Sequence, residues 1–544
     1  MSALFRAYAV QGTRIPTYFI ESTAPNNVDD SPAPSALPRG LASIDPDKAV
    51  ENIARHLIVA GDANLVVMVH GFNNPQDDVL QAYAAASHAI ENDPEICKCL
   101  GLVCVGYRWP SEKMGQPLRG TVAALPSLPH WLLWCGVLVS ALYPVLAFFL
   151  TLRDWQFTVA GHVLTIFGWT LIGTVVAVAL LRAIVYFRDG YRAASYGAPD
   201  LIEIIRQIDH LIVQRDPGMP NELEVKTRRN QNRVQLSFIG HSMGGFIVTS
   251  AIRVLSDLFA GGALRPRLNG GTLNEQNEWK LQSISPNIGN TFRLMRFVLA
   301  SPDIPAETLL SNRANFLASS LRRFREAYLF SNEGDEVLRQ ISTTANYFSF
   351  PTKSWKNGYR LGNVEILSTK YGVVDLAGEP LLGAVRIGYY TLQELYEKLR
   401  LARNESSVAP QSVQSLLPEV FSYFDCTDYV DGADSSSQPR GFLTFALRKK
   451  QHDARIRMSW WDHVRLLWAY VVRQQPNVHG GYFEGILCRQ IIYRLACLGF
   501  KDTVDAYRGL DSFSEACKSK QIRVLLSPRL PTERVSRHIV SAVR

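Results

Sequence analysis

The sequence predicts an α/β fold on a mostly parallel, doubly wound sheet, and three observations carry that prediction. Short runs of continuous apolar residues, such as 65–69, recur along the chain and read as strands buried on both faces. Helix-length amphipathic segments separate them, the rhythm of strand–helix–strand units with parallel strands. One run stops at Gly240-His241-Ser242-Met243-Gly244, and a helical pattern follows at once.

In order, residues 1–20 alternate like a strand pair, and the Pro-, Ser- and Asn-rich stretch 21–40 reads as a loop. Residues 45–60 carry Ala49, Ile53, His56 and Leu57 on one face of a helix, with Pro46 acceptable in its first turn. Buried strands follow at 65–69, in "LGLVCVGYRWPS", and in "RVQLSFIG", "RLMRFVLASPD", "EAYLFSNEGDEVL" and "EVFSYFDCTD". Helices are expected at 78–92, 200–213, 246–259 and 392–402. No internal repeat is present.

The 544 residues could hold two or three average domains, or one α/β enzyme with insertions. Apolar residues at 47% and charged residues at 19% describe a globular chain shifted towards membrane composition, and one segment causes the shift. The net charge of +8 is not gathered on an aromatic-bearing strand or helix, so nucleic acid is not an expected partner. Eight cysteines show no paired CxxC spacing and read as reduced thiols. Cys97-Lys98-Cys99 is too tight for a zinc knuckle and reads as a helix end. No metal and no cofactor is expected. The N-terminus lacks a signal-peptide pattern, so the mature chain is expected to start near Met1.

The segment that shifts the composition holds two uncharged runs, 22 residues at 131–152 and 26 at 156–181. Each exceeds the roughly 20 residues a helix needs to cross a hydrocarbon core. Only Arg153, Asp154 and Trp155 separate them, so a tight transmembrane hairpin with both outer ends on one side is expected. Trp131, Trp134, Trp155 and Tyr186 lie near the ends, where aromatic belts sit. Arg108, Lys113, Arg119, Arg182, Arg188 and Arg192 flank the pair against Arg153 alone in the turn, which puts the body of the protein in the cytoplasm. A hydrophobic lid or buried core hairpin is the alternative.

Within Gly-His-Ser-Met-Gly, the glycines two before and two after Ser242 keep Cβ atoms apart where strand and helix converge, and the turn lifts the hydroxyl clear of the sheet. Ser242 is the candidate nucleophile. The N–H groups at the start of the following helix aim partial positive charge at an oxyanion. His70-Gly71 after the first buried strand would bring the Phe72 amide beside that of Met243, so these two are the candidate oxyanion hole. His70 precedes the serine, which argues against it as base, because nucleophile, acid and base follow in that order in such folds. For the acid, Asp335 in "YLFSNEGDEVL" is favoured and Asp303 in "SPDIP" is the alternative, read as a loop-capping or site-shaping residue. Four histidines follow Ser242. His452 and His538 lie in charged runs; His463 falls on an apparent helix; His479 sits in a glycine loop before the last long helix. His479 is the favoured base and His463 the alternative.

The stretches "VHGFNNP", "YRWPS", "GHSMGG", "LASPDI", "YLFSNEGDEVL" and "VHGGYF" occur in family order, and with them the sequence resembles the α/β-hydrolase superfamily. Within it the chain looks most like a bacterial serine-hydrolase family whose substrates are largely unassigned. The resemblance spans roughly residues 64–500 apart from the hairpin and implies an esterase- or lipase-like triad. The hairpin sets the chain apart from that family's soluble members.

The expected organisation is therefore an α/β-hydrolase fold in which residues 1–128 and 189–500 form the catalytic domain, 129–188 an inserted transmembrane hairpin, and 501–544 a basic C-terminal extension. The expected function is a membrane-anchored serine hydrolase of lipid or acylated substrates, cleaving an ester through an acyl-enzyme. The alternative is an inactive hydrolase-fold scaffold at the membrane. A transporter is excluded because neither span carries an acid, lysine or arginine.

Overall fold

The computed structural model describes residues 4–24, 36–111, 186–215, 233–259, 291–310, 323–343, 359–376, 381–401, 420–433, 439–446, 458–473 and 476–530, with a few isolated positions between them. The expected hairpin at 129–188 lies almost wholly outside these residues. Among the described residues no helix is long and apolar enough to cross a membrane.

The strands of the main sheet are β1 (Phe5–Val10), β2 (Thr17–Ser22), β3 (Leu41–Ile44), β4 (Asn64–Val69), β5 (Leu102–Arg108), β6 (Val234–His241), β7 (Phe292–Ala300), β8 (Glu326–Ser331), β9 (Gly372–Val373), β10 (Phe421–Asp425) and β11 (Arg523–Leu525). Their order is β9-β11-β10-β8-β7-β6-β4-β5-β2-β1-β3. From β2 to β10 every neighbouring pair is parallel. Antiparallel strands finish the sheet at β1 and β3 on one side and at the β10–β11 pair on the other. The result is a mixed α/β architecture with a large, mostly parallel sheet, compatible with the α/β-hydrolase fold.

The continuous apolar strands are explained by cover on both sides. Leu65, Val67 and Val69 of β4 face a core shared with α1 (Pro46–Val59), α3 (Ala198–Arg215) and α4 (Met243–Phe259). Val66 and Met68 face the opposite core, with α2 (Gln76–Glu91) and the helix Ile486–Cys497. Alternate side chains thus enter different cores, and neither face can carry charge. Expected helix bounds shift by one to three residues. At α1, Asp45 caps the helix by accepting from the Asp47 amide at 2.8 Å, with Pro46 in the first turn. Cys97 lies in a single 3₁₀ turn, Ile96–Lys98.

Beyond residue 500, helices Phe500–Ala506 and Leu510–Ser519 lead straight into β11, which pairs with β10 and β9. Three residues of strand are too short to announce themselves by periodicity. Small sheets formed by Val364–Ile366, Val385–Ile387 and Tyr390–Thr391, and by Val430–Ala433 with Pro439–Gly441, also went unread for that reason.

At the β2–β5 junction, Glu21 stands opposite Arg108 in register and accepts from its guanidinium at 2.6 Å. Both are buried, and the remaining carboxylate capacity takes Tyr8 Oη at 3.1 Å and Gln76 Nε2 at 2.7 Å. Removing one member leaves the other charge uncompensated. Glu21→Ala should therefore lower the unfolding free energy by about 3–5 kcal/mol in urea titrations. A loss below about 1 kcal/mol would mean that solvent reaches Arg108.

Candidate active site

The winding of the sheet reverses at β4. The chain passes from β4 to β5 on one side and then to β6 on the other, which makes the carboxyl ends of β4 and β6 neighbours, with Val69 opposite Gly240. A crevice at such a reversal is where open α/β sheets bind ligands. Every candidate residue of the sequence reading before residue 400 lies where the chain leaves this end of the sheet, in a loop or, for Met243, at a helix start.

Ser242 follows β6 directly, and Met243 opens α4. The serine holds a left-handed backbone, φ 52°, which a non-glycine residue keeps only when its surroundings fix it. Its amide donates to the Ala300 carbonyl at 3.0 Å, and its carbonyl accepts from Gly245 at 3.0 Å and from Asp303 at 3.1 Å. Two glycines permit the crowding. A Cβ on Gly244 would lie 2.3 Å from the Val69 carbonyl oxygen, and one on Gly71 would lie 2.8 Å from Ser242 Cβ. The serine is 1% exposed, and its Oγ has no hydrogen-bond partner among the described residues.

His479 lies in the loop before the helix Ile486–Cys497, and its Nδ1 meets Asp335 Oδ2 at 2.7 Å. An ionised carboxylate only accepts, so this bond puts the ring proton on Nδ1 and leaves the Nε2 lone pair free. Nε2 has no partner among the described residues. Asp335 is fully buried, accepts from the Ser301 hydroxyl, and takes the Leu338 amide on its other oxygen at 3.1 Å. Asn332 Nδ2 donates to the Val478 carbonyl at 2.9 Å, tying the acid loop to the histidine loop.

The two alternatives are engaged elsewhere. The Asp303 carboxylate pairs with Arg360 Nε at 3.0 Å and accepts from Tyr186 Oη at 2.9 Å and Ser342 Oγ at 3.1 Å. His463 Nδ1 meets Glu336 Oε1 at 2.5 Å, one residue beyond Asp335. Of the sequence candidates, the structure brings His479 and Asp335 into contact, and it brings neither Asp303 nor His463 to that pair by a side-chain bond.

The loop after β4 is held from behind. Asn74 Nδ2 donates to the Gly71 and Phe72 carbonyls, each at 3.1 Å, and the Asn73 amide donates to Asp189 at 3.4 Å. Phe72 is buried and meets His479 edge-on at 6.3 Å between ring centroids. His70 stacks on Trp109 at 5.4 Å, and burial pushes its pKa down to about 3. It is a neutral packing residue. Burial pushes Asp189 up to about 6 against the opposing pull of Arg188 and Arg192.

Sequence reasoning missed Ser301, Asn332, Tyr186, Arg360 and His241. His241 Nε2 donates to the His479 carbonyl at 3.0 Å, and its pKa is pushed down to about 4, chiefly by burial and then by the neighbouring His479. The signal for His241, Ser301 and Asn332 was their place beside motif residues, in "GHSMGG", "LASPDI" and "YLFSNEGDEVL"; nothing local marked Tyr186 or Arg360 as site residues. Among the described residues no cluster of three or more His, Cys, Asp or Glu could hold a metal ion.

Residues 219–343 match the family model described as "Putative serine esterase (DUF676)". That segment is similar to a serine esterase, and it contains Ser242, Asp303 and Asp335 but neither His70 nor His479. No curated protein and no solved structure matches the chain. The match covers less than a quarter of the sequence and supports serine-hydrolase character for this part of it.

The depressed histidines give a pH prediction with a definite sign. In the unfolded chain both rings titrate near 6.5. As pH falls from 6.5 towards 4, the unfolded chain takes up protons that the folded chain refuses, so stability is full above 6.5 and declines below it. Each histidine contributes about 1.4 kcal/mol per pH unit to that decline. His241 keeps some contact with solvent, so the larger share belongs to His70. In urea titrations between pH 7 and 4.5, His70→Gln should show a shallower loss of stability with acid than the wild type. Equal slopes would count against a neutral, buried His70.

Proposed function

We propose that the chain is a carboxylic-ester hydrolase that works through an acyl-enzyme, with Ser242 as nucleophile, His479 as base and Asp335 as the residue that orients and stabilises the imidazole. The observation that carries this reading is that Ser242 Oγ and His479 Nε2 are each buried without a hydrogen-bond partner among the described residues, while His479 Nδ1 is bonded to Asp335 and the His479 carbonyl accepts from His241, the neighbour of Ser242. His479 removes the serine proton as Oγ attacks the acyl carbonyl, then returns it to the leaving alcohol. Water releases the acyl group by the same steps in reverse roles. The amides of Phe72 and Met243 receive the oxyanion. Support for this comes from Gly71, which lets the Phe72 loop touch the serine, and from the helix start at Met243.

The body made of residues 1–128 and 189–500 is proposed to sit at the cytoplasmic face of a bilayer, anchored by the apolar hairpin 129–188, with a lipid or an acylated membrane component as substrate. The support is sequence: two long uncharged runs with cations outside them.

A fluorophosphonate probe should label the wild type and leave Ser242→Ala unlabelled, with circular dichroism unchanged; an unlabelled wild type would favour the scaffold reading. With a p-nitrophenyl ester, His479→Ala and Asp335→Asn should each lower kcat by roughly 10³-fold or more. His463→Ala and Asp303→Asn should cost much less in protein that remains folded. A dead His463 variant with an active His479 variant would move the base to the helix. For the anchor, cysteines placed by Asp154→Cys and Ser195→Cys should react with an impermeant reagent from opposite sides of sealed vesicles. Labelling of both from one side excludes the span.

A further inference from the structure

We infer that the outward face of the helix Trp460–Arg473, here α5, is a docking surface for an anionic lipid bilayer. The membrane reading above is used only to choose lipid as the neighbour; the surface itself is a separate feature. Trp460, Trp461 and Trp468 are 67%, 71% and 70% exposed, an unusual fate for the largest apolar side chain. Trp461, Arg465 and Trp468 follow the i, i+4, i+7 spacing of one helix face, and Trp460 lies edge-on to Trp461 at 4.7 Å. Arg465 is exposed and lies 4.7 Å over the ring of Phe445, itself 38% exposed. The opposite face is conventional core: His463, Leu466 and Ala469 are buried.

This pattern of outward tryptophans and arginine over an inward apolar stripe suits a helix lying in the plane of a membrane interface. There an indole ring has an apolar body for the acyl boundary and an N–H for the headgroups. Charge selects the lipid. Arg465 stands in the face, and by sequence residues 448–457 just before the helix hold five Lys or Arg against one Asp.

Position agrees. His463 of α5 bonds Glu336, next to the Asp335 loop, so the helix lies at the end of the sheet that carries Ser242 and His479. The chain returns from its apolar runs at the same end, where Tyr186 bonds Asp303. Between α5 and the segment after Asp335 lies a cavity of about 210 Å³ lined by Arg339, Met458, Trp460, His463 and Leu467. A bilayer touching this face would meet the protein beside its candidate site.

The test uses the full chain in vesicles with a spin label on Trp468→Cys and a control label on Val59→Cys, which is exposed at the opposite end of the sheet. Collision with a water-soluble nickel chelate should fall roughly threefold or more at 468 in phosphatidylglycerol-rich vesicles, recover in pure phosphatidylcholine or high salt, and stay unchanged at 59. A water-exposed label at 468 in anionic vesicles from which carbonate cannot strip the protein overturns the docking surface while leaving the anchor intact. A salt-sensitive, immersed label on protein that carbonate does strip supports the surface and removes the anchor. Protection at 468 without any lipid would mean that a second copy covers the face, and would also overturn the inference.

Discussion

The constraint on which the rest of the molecule depends is the close approach of two backbones where β4 and α4 meet. The Gly244 Cα lies so near the Val69 and His70 carbonyls that a side-chain carbon there would come within 2.3 Å of one and 2.5 Å of the other. That contact fixes how far the start of α4 can sit from the end of β4, and hence where Ser242 stands relative to the Gly71–Phe72 loop. The left-handed φ of the serine follows from it. With its amide bonded to Ala300 and its carbonyl to Gly245 and Asp303, the residue has no room to relax.

Behind this turn the molecule places two buried carboxylates with different duties. Asp335 faces His479, with a hydroxyl and an amide as its other partners, none of them a full positive charge. Asp303 faces Arg360, and its remaining contacts tie Tyr186 and Ser342 to the same rim. A carboxylate already neutralised by a guanidinium has little left with which to stabilise an imidazolium, whereas one bonded to neutral donors does. The two acids lie at the ends of adjacent strands, so the distinction comes from partners rather than from position along the fold.

The cores explain why such a site can be held rigidly. Parallel strands send alternate side chains into two separate apolar layers, and buried charges gather towards the sheet ends, where Glu21 with Arg108 and Asp335 with His479 are each embedded in further hydrogen bonds. The indole face of α5 departs from this segregation, since it leaves three large apolar rings outside both layers.

By itself the sequence determined the mostly parallel sheet and the serine turn, and it named the candidate residues for the site. Strands buried on both faces must be continuously apolar, a strand–helix elbow must have glycine where backbones touch, and only a few histidines follow Ser242. The strand β11 within 501–544 was not foreseen, because three residues of strand have no period to read. Tertiary structure alone decided the partners. Arg360 claims Asp303 and Glu336 claims His463 across 57 and 127 residues of chain, Ser301 reaches Asp335 from the end of the neighbouring strand, and Asn332 ties the Asp335 loop to Val478. Hydrophobic periodicity records which face of an element is buried, but it carries no information about which polar groups from distant loops will meet once the strand ends are brought side by side.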